Sequence, residues 1–188
     1  MKKEKVFLNN FGISDDYKLA HVETETKNNF ESTNSWLYLG RDADDPNFVK
    51  IGLTMGDLQS RSYSSANPDY YLFCAFKCKY NISEVELKNI EEEILVRLES
   101  FYRNDDGSTK RLKHHESGRP SECFRPVNFS EFFMDLHCEI YENHRNSFVI
   151  CAWENEIGQI DGQFVDCIFN KVIKLEDRNK FIKMILQY

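Results

Sequence analysis

The sequence predicts an α+β protein, and three patterns along the chain support this class. Residues 36–39 and 48–53 are short apolar runs on either side of an Asp-rich turn, which predicts a β-hairpin. Residues 70–78 are almost continuously apolar, as in a strand that is buried on both faces. Ser83 and Glu86 then fit a capping box at the start of a long amphipathic helix.

The segments around these elements are predicted in chain order. Residues 1–35 are polar with scattered apolar positions, which indicates an N-terminal extension with one short helix. Asp57 is expected to cap a second short helix that carries Arg61 and ends at residues 67–69. A charged loop over residues 103–120 follows the long helix.

The C-terminal part of the chain is expected to pack on the core as an α/β extension. Its predicted elements are a helix at 129–141, strands at 147–153 and 163–169, and a closing helix at 176–188. Because the sequence contains no internal repeat and no low-complexity linker, three segments are predicted: 1–35, a core at 36–127, and 128–188.

Composition limits the classes of protein that this chain can be. Its 188 residues correspond to about one domain, and 41% hydrophobic with 29% charged residues exclude disordered, collagen-like and membrane-spanning classes. The net charge of -7 argues against a surface that broadly coats nucleic acid. Basic residues nevertheless gather between positions 110 and 125, which allows a local basic cleft on an acidic body.

The N-terminus and the cysteines indicate the compartment. Lysines near the start are not followed by the apolar run of a secretory signal, so a cytoplasmic protein is expected. No stretch approaches the ~20 apolar residues that span a bilayer, so no membrane is expected as partner. The six cysteines are expected to be reduced core thiols, with a zinc site built on Cys74 and Cys78 as the alternative.

Glu91 interrupts the apolar stripe of the long helix, which is predicted to run to residue 102. At 100° per residue it points within about 60° of Leu87, Leu95 and Leu98. An ionised carboxylate on a core-facing stripe is costly unless it meets a cation. Two explanations stay open: a structural ion pair or an edge position, or a functional carboxylate.

Three other polar residues accompany Glu91 in the predicted core. Tyr38 lies on the first strand, Lys50 interrupts the second, and Arg61 follows on the short helix. Each has an ordinary structural explanation as a hydrogen-bonded core phenol or a solvated charge. Together, a phenol, an ammonium, a guanidinium and a carboxylate are the groups that phosphodiester hydrolysis needs.

In their order and spacing these residues resemble the motifs of the GIY-YIG endonuclease superfamily. Its first motif is similar to residues 36–38, with Trp36 in place of the first glycine. Its second motif is similar to residues 49–52, with Lys50 in place of the tyrosine, as in a phage-type branch. The remaining correspondences are Arg61, Asn67-Pro68, Glu91 and Glu122-Cys123-Phe124.

The resemblance implies a small three-stranded antiparallel sheet flanked by helices over residues 36–127, with both extensions packed on it. It implies Tyr38 as general base, Lys50 as its cationic neighbour, Arg61 on the scissile phosphate, and Glu91 as ligand of one Mg²⁺ or Mn²⁺ ion. Gly52 would permit close backbone approach. The auxiliary residues it suggests for phosphate binding or support are Tyr63, His114, His115 and Glu122.

The resulting hypothesis is a Mg²⁺-dependent DNA endonuclease. The alternative is a catalytically inert GIY-YIG-like module that binds nucleic acid or a protein in a regulatory or inhibitory role. RNA is the less favoured substrate, because the proposed groups recognise phosphate and do not read a 2'-hydroxyl. A protein partner would use residues 128–188, and the oligomeric state stays open.

Overall fold

The computed structural model describes residues 13–32, 34–56, 58 and 67–187, and the chain divides into two compact units, Met1–Ser32 and Thr33–Tyr188. In the first unit, helix α1 spans Ile13–Glu31, 19 residues. It is longer than the short helix that was predicted, because its polar sequence has no apolar stripe from which to read a length.

The second unit contains the remaining elements, and their mixture of helices and antiparallel strands confirms the α+β class. In chain order they are β1 Trp36–Asp42, β2 Val49–Thr54, β3 Tyr70–Lys77, α2 Glu84–Phe101, β4 Arg111–Lys113, β5 Pro120–Phe124, α3 Phe129–His144, β6 Ile150–Glu154, β7 Ile160–Val165, β8 Cys167–Phe169 and α4 Leu175–Leu186.

The main sheet has six antiparallel strands in the order β4-β5-β2-β1-β3-β8, so the prediction of a small three-stranded sheet is wrong. The predicted strands β2, β1 and β3 form its centre. Strands β5 and β4 extend it beyond β2, and β8 extends it beyond β3. Because β4 and β8 have three residues each, they are too short for alternation to reveal them in the sequence.

Helix α2 begins as the capping box predicts. The Ser83 side chain accepts a hydrogen bond from the Glu86 amide at 3.1 Å, which satisfies one of the unpaired donors of the first turn. Its buried residues, Leu87, Ile90, Ile94, Leu95 and Leu98, form the stripe that packs on the sheet.

One face of the sheet carries the main hydrophobic core, and the C-terminal segment supplies much of it. Phe73 of β3 lies edge-to-face against Phe129 of α3, with ring centroids 4.6 Å apart, and against Phe181 of α4 at 4.8 Å. Each buried phenylalanine contributes about 1.5–3 kcal/mol through the hydrophobic effect. Residues 128–188 therefore share a core with the central strands.

The opposite face of the sheet carries a second, smaller cluster. Because side chains alternate along a strand, residues of β1 point in turn to the main core and to this face. The members of the small cluster are Trp36, Tyr38, Leu72 and Ala75, with Leu58 and Tyr70 packed against them.

Strands β6 and β7 form a separate two-stranded ribbon. The strand predicted over 163–169 is divided into β7 and β8 at Asp166, whose carbonyl accepts a hydrogen bond from the Lys77 amide at 2.9 Å. The six cysteines carry free thiols, but only Cys74 and Cys78 are buried in the core, and the other four are half-buried. No helix among the described residues has the length and apolarity needed to cross a membrane.

Candidate active site

Tyr38 lies on the small-cluster face of β1, directly opposite Gly52 of β2. Its phenol ring covers Gly52 so closely that a Cβ atom at this position would overlap the ring and its hydroxyl. The glycine is therefore required by the close approach of a side chain to the backbone. Tyr38 is 7% exposed, so this phenol is held in a fixed position by the sheet.

Tyr70 places a second phenol on the same face. Its hydroxyl lies over Gly40 of β1, where a Cβ atom would overlap it. Burial raises the pKa of Tyr70 far above its ordinary value, with smaller contributions from Tyr38 and Cys123. Within the described part of the chain, the buried hydroxyl has no hydrogen-bond partner.

Lys50 lies beside these phenols on β2. It is paired with Gly40 of β1 on one side and with Cys123 of β5 on the other. Because paired residues of antiparallel strands point to the same face, Lys50 shares the face of Tyr70 and Cys123. Burial raises the pKa of the Cys123 thiol, and the positive charge of Lys50 partly opposes that rise.

The carboxyl of Glu91, on helix α2, has a raised pKa. Burial raises its pKa to about 7, and the nearby carboxylates of Glu122 and Glu92 add to the rise. The positive charges of Lys50 and Arg111 act in the opposite direction. The charge of Lys50 on β2 therefore acts on Glu91, and Lys50 lies two residues from Gly52 in the same strand.

Arg111 is a buried cation that joins β4 to α2. It is 6% exposed, and its Nε donates to the Ser121 carbonyl at 2.7 Å. Its Nη1 forms an ion pair with Glu99 at 3.2 Å, and its Nη2 lies 3.6 Å from Glu92. The sequence predicts a charged loop at this arginine, because the β4–β5 pairing that buries it is not visible in the sequence.

The structure describes only some of the other predicted site residues. Arg61 and Tyr63 lie outside the described residues, and so does Asp57. His114 and His115 are exposed at the turn between β4 and β5. Glu122, by contrast, acts on Glu91, as its contribution to the Glu91 pKa demonstrates.

The donor chemistry around Glu91 fits a hard divalent cation held by few protein ligands. The carboxylates of Glu122 and Glu92 repel a negative charge on Glu91, and a cation relieves such repulsion. In the described ranges, no group of three or more His, Cys, Asp or Glu side chains is arranged to hold a metal ion. A metal ion at this position would have Glu91 as its carboxylate ligand, with waters and phosphate oxygens, as is common for Mg²⁺.

In comparisons with protein-family models, curated proteins and solved structures, no match to this chain was found. The likeness to the GIY-YIG superfamily thus depends on the motifs of the sequence and stays a prediction.

Two residues at this site were not singled out by the sequence. Tyr70 stands next to Tyr71 in an apolar strand, so nothing in the local pattern distinguishes it from core. The buried position of Arg111 follows from a strand pairing. For both residues, the sequence shows a polar side chain and gives no sign that the folded protein buries it.

Proposed function

We propose that this protein is a Mg²⁺-dependent endonuclease that hydrolyses DNA phosphodiester bonds. The observation that carries the proposal is the charge interaction between Glu91 of α2 and Lys50 of β2, because Lys50 shares its sheet face with Tyr38. A phenol, an ammonium and a carboxylate on neighbouring elements are suited to acid–base and charge-stabilising steps.

Tyr38 is assigned the role of general base. Its phenol oxygen takes a proton from the water that attacks phosphorus, as the bond from phosphorus to the leaving oxygen breaks. Lys50 is two residues from Gly52, the partner of Tyr38, and therefore a diagonal neighbour on the same face. Its positive charge favours the phenolate form that a base requires.

Glu91 is assigned the role of metal ligand. The Arg61 guanidinium is assigned to bind the scissile phosphate. When bound, Mg²⁺ supplies Lewis-acid stabilisation of the charge that develops on the phosphate oxygens. Tyr70 is assigned a positioning role, because its ring fills the space over Gly40 beside Lys50. Tyr70 therefore adds a second phenol to a site in which Lys50 stands in place of the second motif's tyrosine.

Incubation of supercoiled plasmid DNA with the purified protein and Mg²⁺ or Mn²⁺ tests the proposal. Nicked or linear DNA is expected, with no product in EDTA. Glu91→Gln should slow cleavage by about 10²–10³-fold, the usual cost of losing one charge-stabilising group. Glu93→Gln is the matched control, since Glu93 is exposed and two positions further along the same helix.

The pH dependence of cleavage adds a second readout. A carboxyl with a pKa of about 7 is protonated below neutrality and then cannot bind a cation. Cleavage by the wild type is therefore expected to rise between pH 6 and pH 8. A wild-type protein that leaves DNA intact with every metal across this range overturns the proposal, and cleavage of RNA alone would revise the substrate.

The inert-module alternative is favoured by one observation, the burial of Tyr38. A phenol that is 7% exposed is poorly reached by water and phosphate. For an inert module, mobility-shift assays should detect DNA binding, or pull-down a protein partner, with no cleavage by the wild type. In that case Glu91→Gln should leave the binding unchanged.

A further inference from the structure

A cavity of about 410 Å³ lies between α3, the β6–β7 ribbon and the end of α4. This volume is in the range of small-molecule sites in proteins. Aromatic rings of Tyr141, Trp153 and Phe164 line it, and none of the described residues of the proposed endonuclease site does. The cavity is therefore separate from the proposed endonuclease site.

His137 of α3 brings a buried hydrogen-bond donor to this cavity. It is 3% exposed, and the Val165 amide donates to its Nε2 at 3.2 Å. Burial lowers the pKa of His137 to about 4, so the ring is neutral at pH 7. Since Nε2 accepts, the single ring proton is on Nδ1, and among the described residues this atom has no hydrogen-bond partner.

Trp153 of β6 brings a second buried donor. Its indole Nε1 has no hydrogen-bond partner within the described ranges. The ring lies over Gly162, its cross-strand neighbour on β7, where a Cβ atom would overlap the indole nitrogen. The glycine therefore allows the indole to lie against the ribbon.

The charges around the cavity select among ligands. Two carboxylates, Glu142 and Asp161, belong to the lining, and the described lining residues include no Lys or Arg. Arg145 donates to the lining residue Gln163 at 2.9 Å and lies 4.9 Å from the centroid of the Tyr141 ring, so charges of both signs border the cavity and favour an uncharged ligand. A buried donor without a partner is unfavourable, and an acceptor on a ligand removes that cost.

We propose that this cavity binds an uncharged planar heteroaromatic ring of the nucleobase class. The acceptors of such a ring match the His137 Nδ1–H and Trp153 Nε1–H donors, and its amino groups match the Glu142 and Asp161 carboxylates. The Trp153 ring provides a stacking surface. Both donors are closed to solvent, so binding requires the side chains that cover them to move.

Isothermal titration calorimetry of the full chain with adenosine, guanosine, cytidine and uridine, each alone, tests this site. Saturable binding of at least one nucleoside is expected, and none of ribose. Trp153→Phe, which keeps the aromatic bulk and removes the N–H, should weaken binding about tenfold, the effect of losing one hydrogen bond of about 1.4 kcal/mol. A single-stranded oligonucleotide titrated in parallel distinguishes a free base from a base within a strand.

Asp161→Asn provides a second variant at an exposed position, so that a folding defect does not decide the outcome. It should weaken the nucleosides with amino groups more than uridine. Glu156→Gln, in the turn of the ribbon and outside the lining, should change nothing. Absence of saturable binding with all four nucleosides and the oligonucleotide, or equal binding by wild type and both variants, overturns the proposal.

Discussion

Glu91 is held where the protein disfavours its charge. The apolar stripe predicted that this carboxyl would need a cationic partner, and two cations, Lys50 and Arg111, do act on it. Their effect is outweighed by burial and by the carboxylates of Glu122 and Glu92, which together raise its pKa to about 7. A simple structural ion pair would lower the pKa, whereas here burial is the largest cause and raises it.

This imbalance predicts a pH-dependent effect of Glu91→Gln on stability. Between the ordinary pKa of 4.5 and the folded-state pKa of about 7, the folded protein binds more protons than the unfolded chain. Wild-type stability therefore falls as the pH rises through this window. At pH 8 without metal, Glu91→Gln should raise the free energy of unfolding by about 1–2 kcal/mol, a value reduced for partial exposure.

Urea denaturation at pH 4 and pH 8 measures this effect. At pH 4 the carboxyl is neutral in both states, so wild type and Glu91→Gln should differ little. Glu93→Gln should lack this pH-dependent gain. A Glu91→Gln protein that is less stable than wild type at pH 8 would contradict the predicted electrostatics.

The Tyr70 hydroxyl is a polar group that is buried in the protein. It lies over Gly40 without a described hydrogen-bond partner. Tyr70→Phe keeps the ring and removes the unpaired hydroxyl, so it should stabilise the protein by about 1 kcal/mol in thermal or urea unfolding. If the positioning role is correct, DNA cleavage by the same variant should slow; a loss of stability would instead reveal a hydrogen bond to the hydroxyl.

At the scale of elements, the strands β1 and β2 are built around glycines that receive aromatic rings. Gly40 receives Tyr70, and Gly52 receives Tyr38. In both strands the glycine removes a side chain from the small-cluster face, and a ring from a neighbouring residue takes its place. The resemblance implied close approach of strand and helix backbone at Gly52, whereas the structure brings the Tyr38 ring over this glycine.

Gly52→Ala should therefore destabilise the sheet. The added methyl group would overlap the Tyr38 ring and force it to move, at a cost of about 1–3 kcal/mol. Gly56→Ala is the matched control, because an added Cβ there meets no atom within 4 Å. Thermal unfolding of both variants measures the difference, and equal melting temperatures would show that Tyr38 can leave Gly52 without cost.

At the scale of the whole molecule, the core depends on contacts between distant parts of the chain. Phe73 packs against Phe129 and Phe181, and β8 completes one edge of the sheet beside β3. The segment 36–127, predicted as the nuclease core, shares these contacts with 128–188. The boundary at 127 is thus crossed by the main hydrophobic core.

A fragment of residues 33–127 is expected not to fold cooperatively, because it lacks the aromatic residues of α3 and α4. A fragment of residues 33–188 should keep the melting temperature of the full chain, since it contains the whole second compact unit. Circular dichroism during thermal unfolding compares the two. A sharp transition in the shorter fragment would mean that residues 36–127 form a core by themselves.

Much of the site could be predicted because its signals are local. Tyr38, Lys50 and Glu91 were recognisable as polar groups that break apolar runs, and the capping box located the helix that carries Glu91. Tyr70 and Arg111 gave no such signal. Their positions follow from strand pairings between residues far apart in sequence, which no short pattern encodes.

By itself, the sequence determined the hairpin, the third strand, the capped helix and the α+β class, since each depends on apolar periodicity and capping within a short window. Only the tertiary structure decided that β4, β5 and β8 extend the sheet to six strands. It also decided that the charge of Lys50 acts on Glu91, and that His137 and Trp153 line one cavity. These are contacts between distant segments, and they exist only once burial of the shared core has brought the segments together.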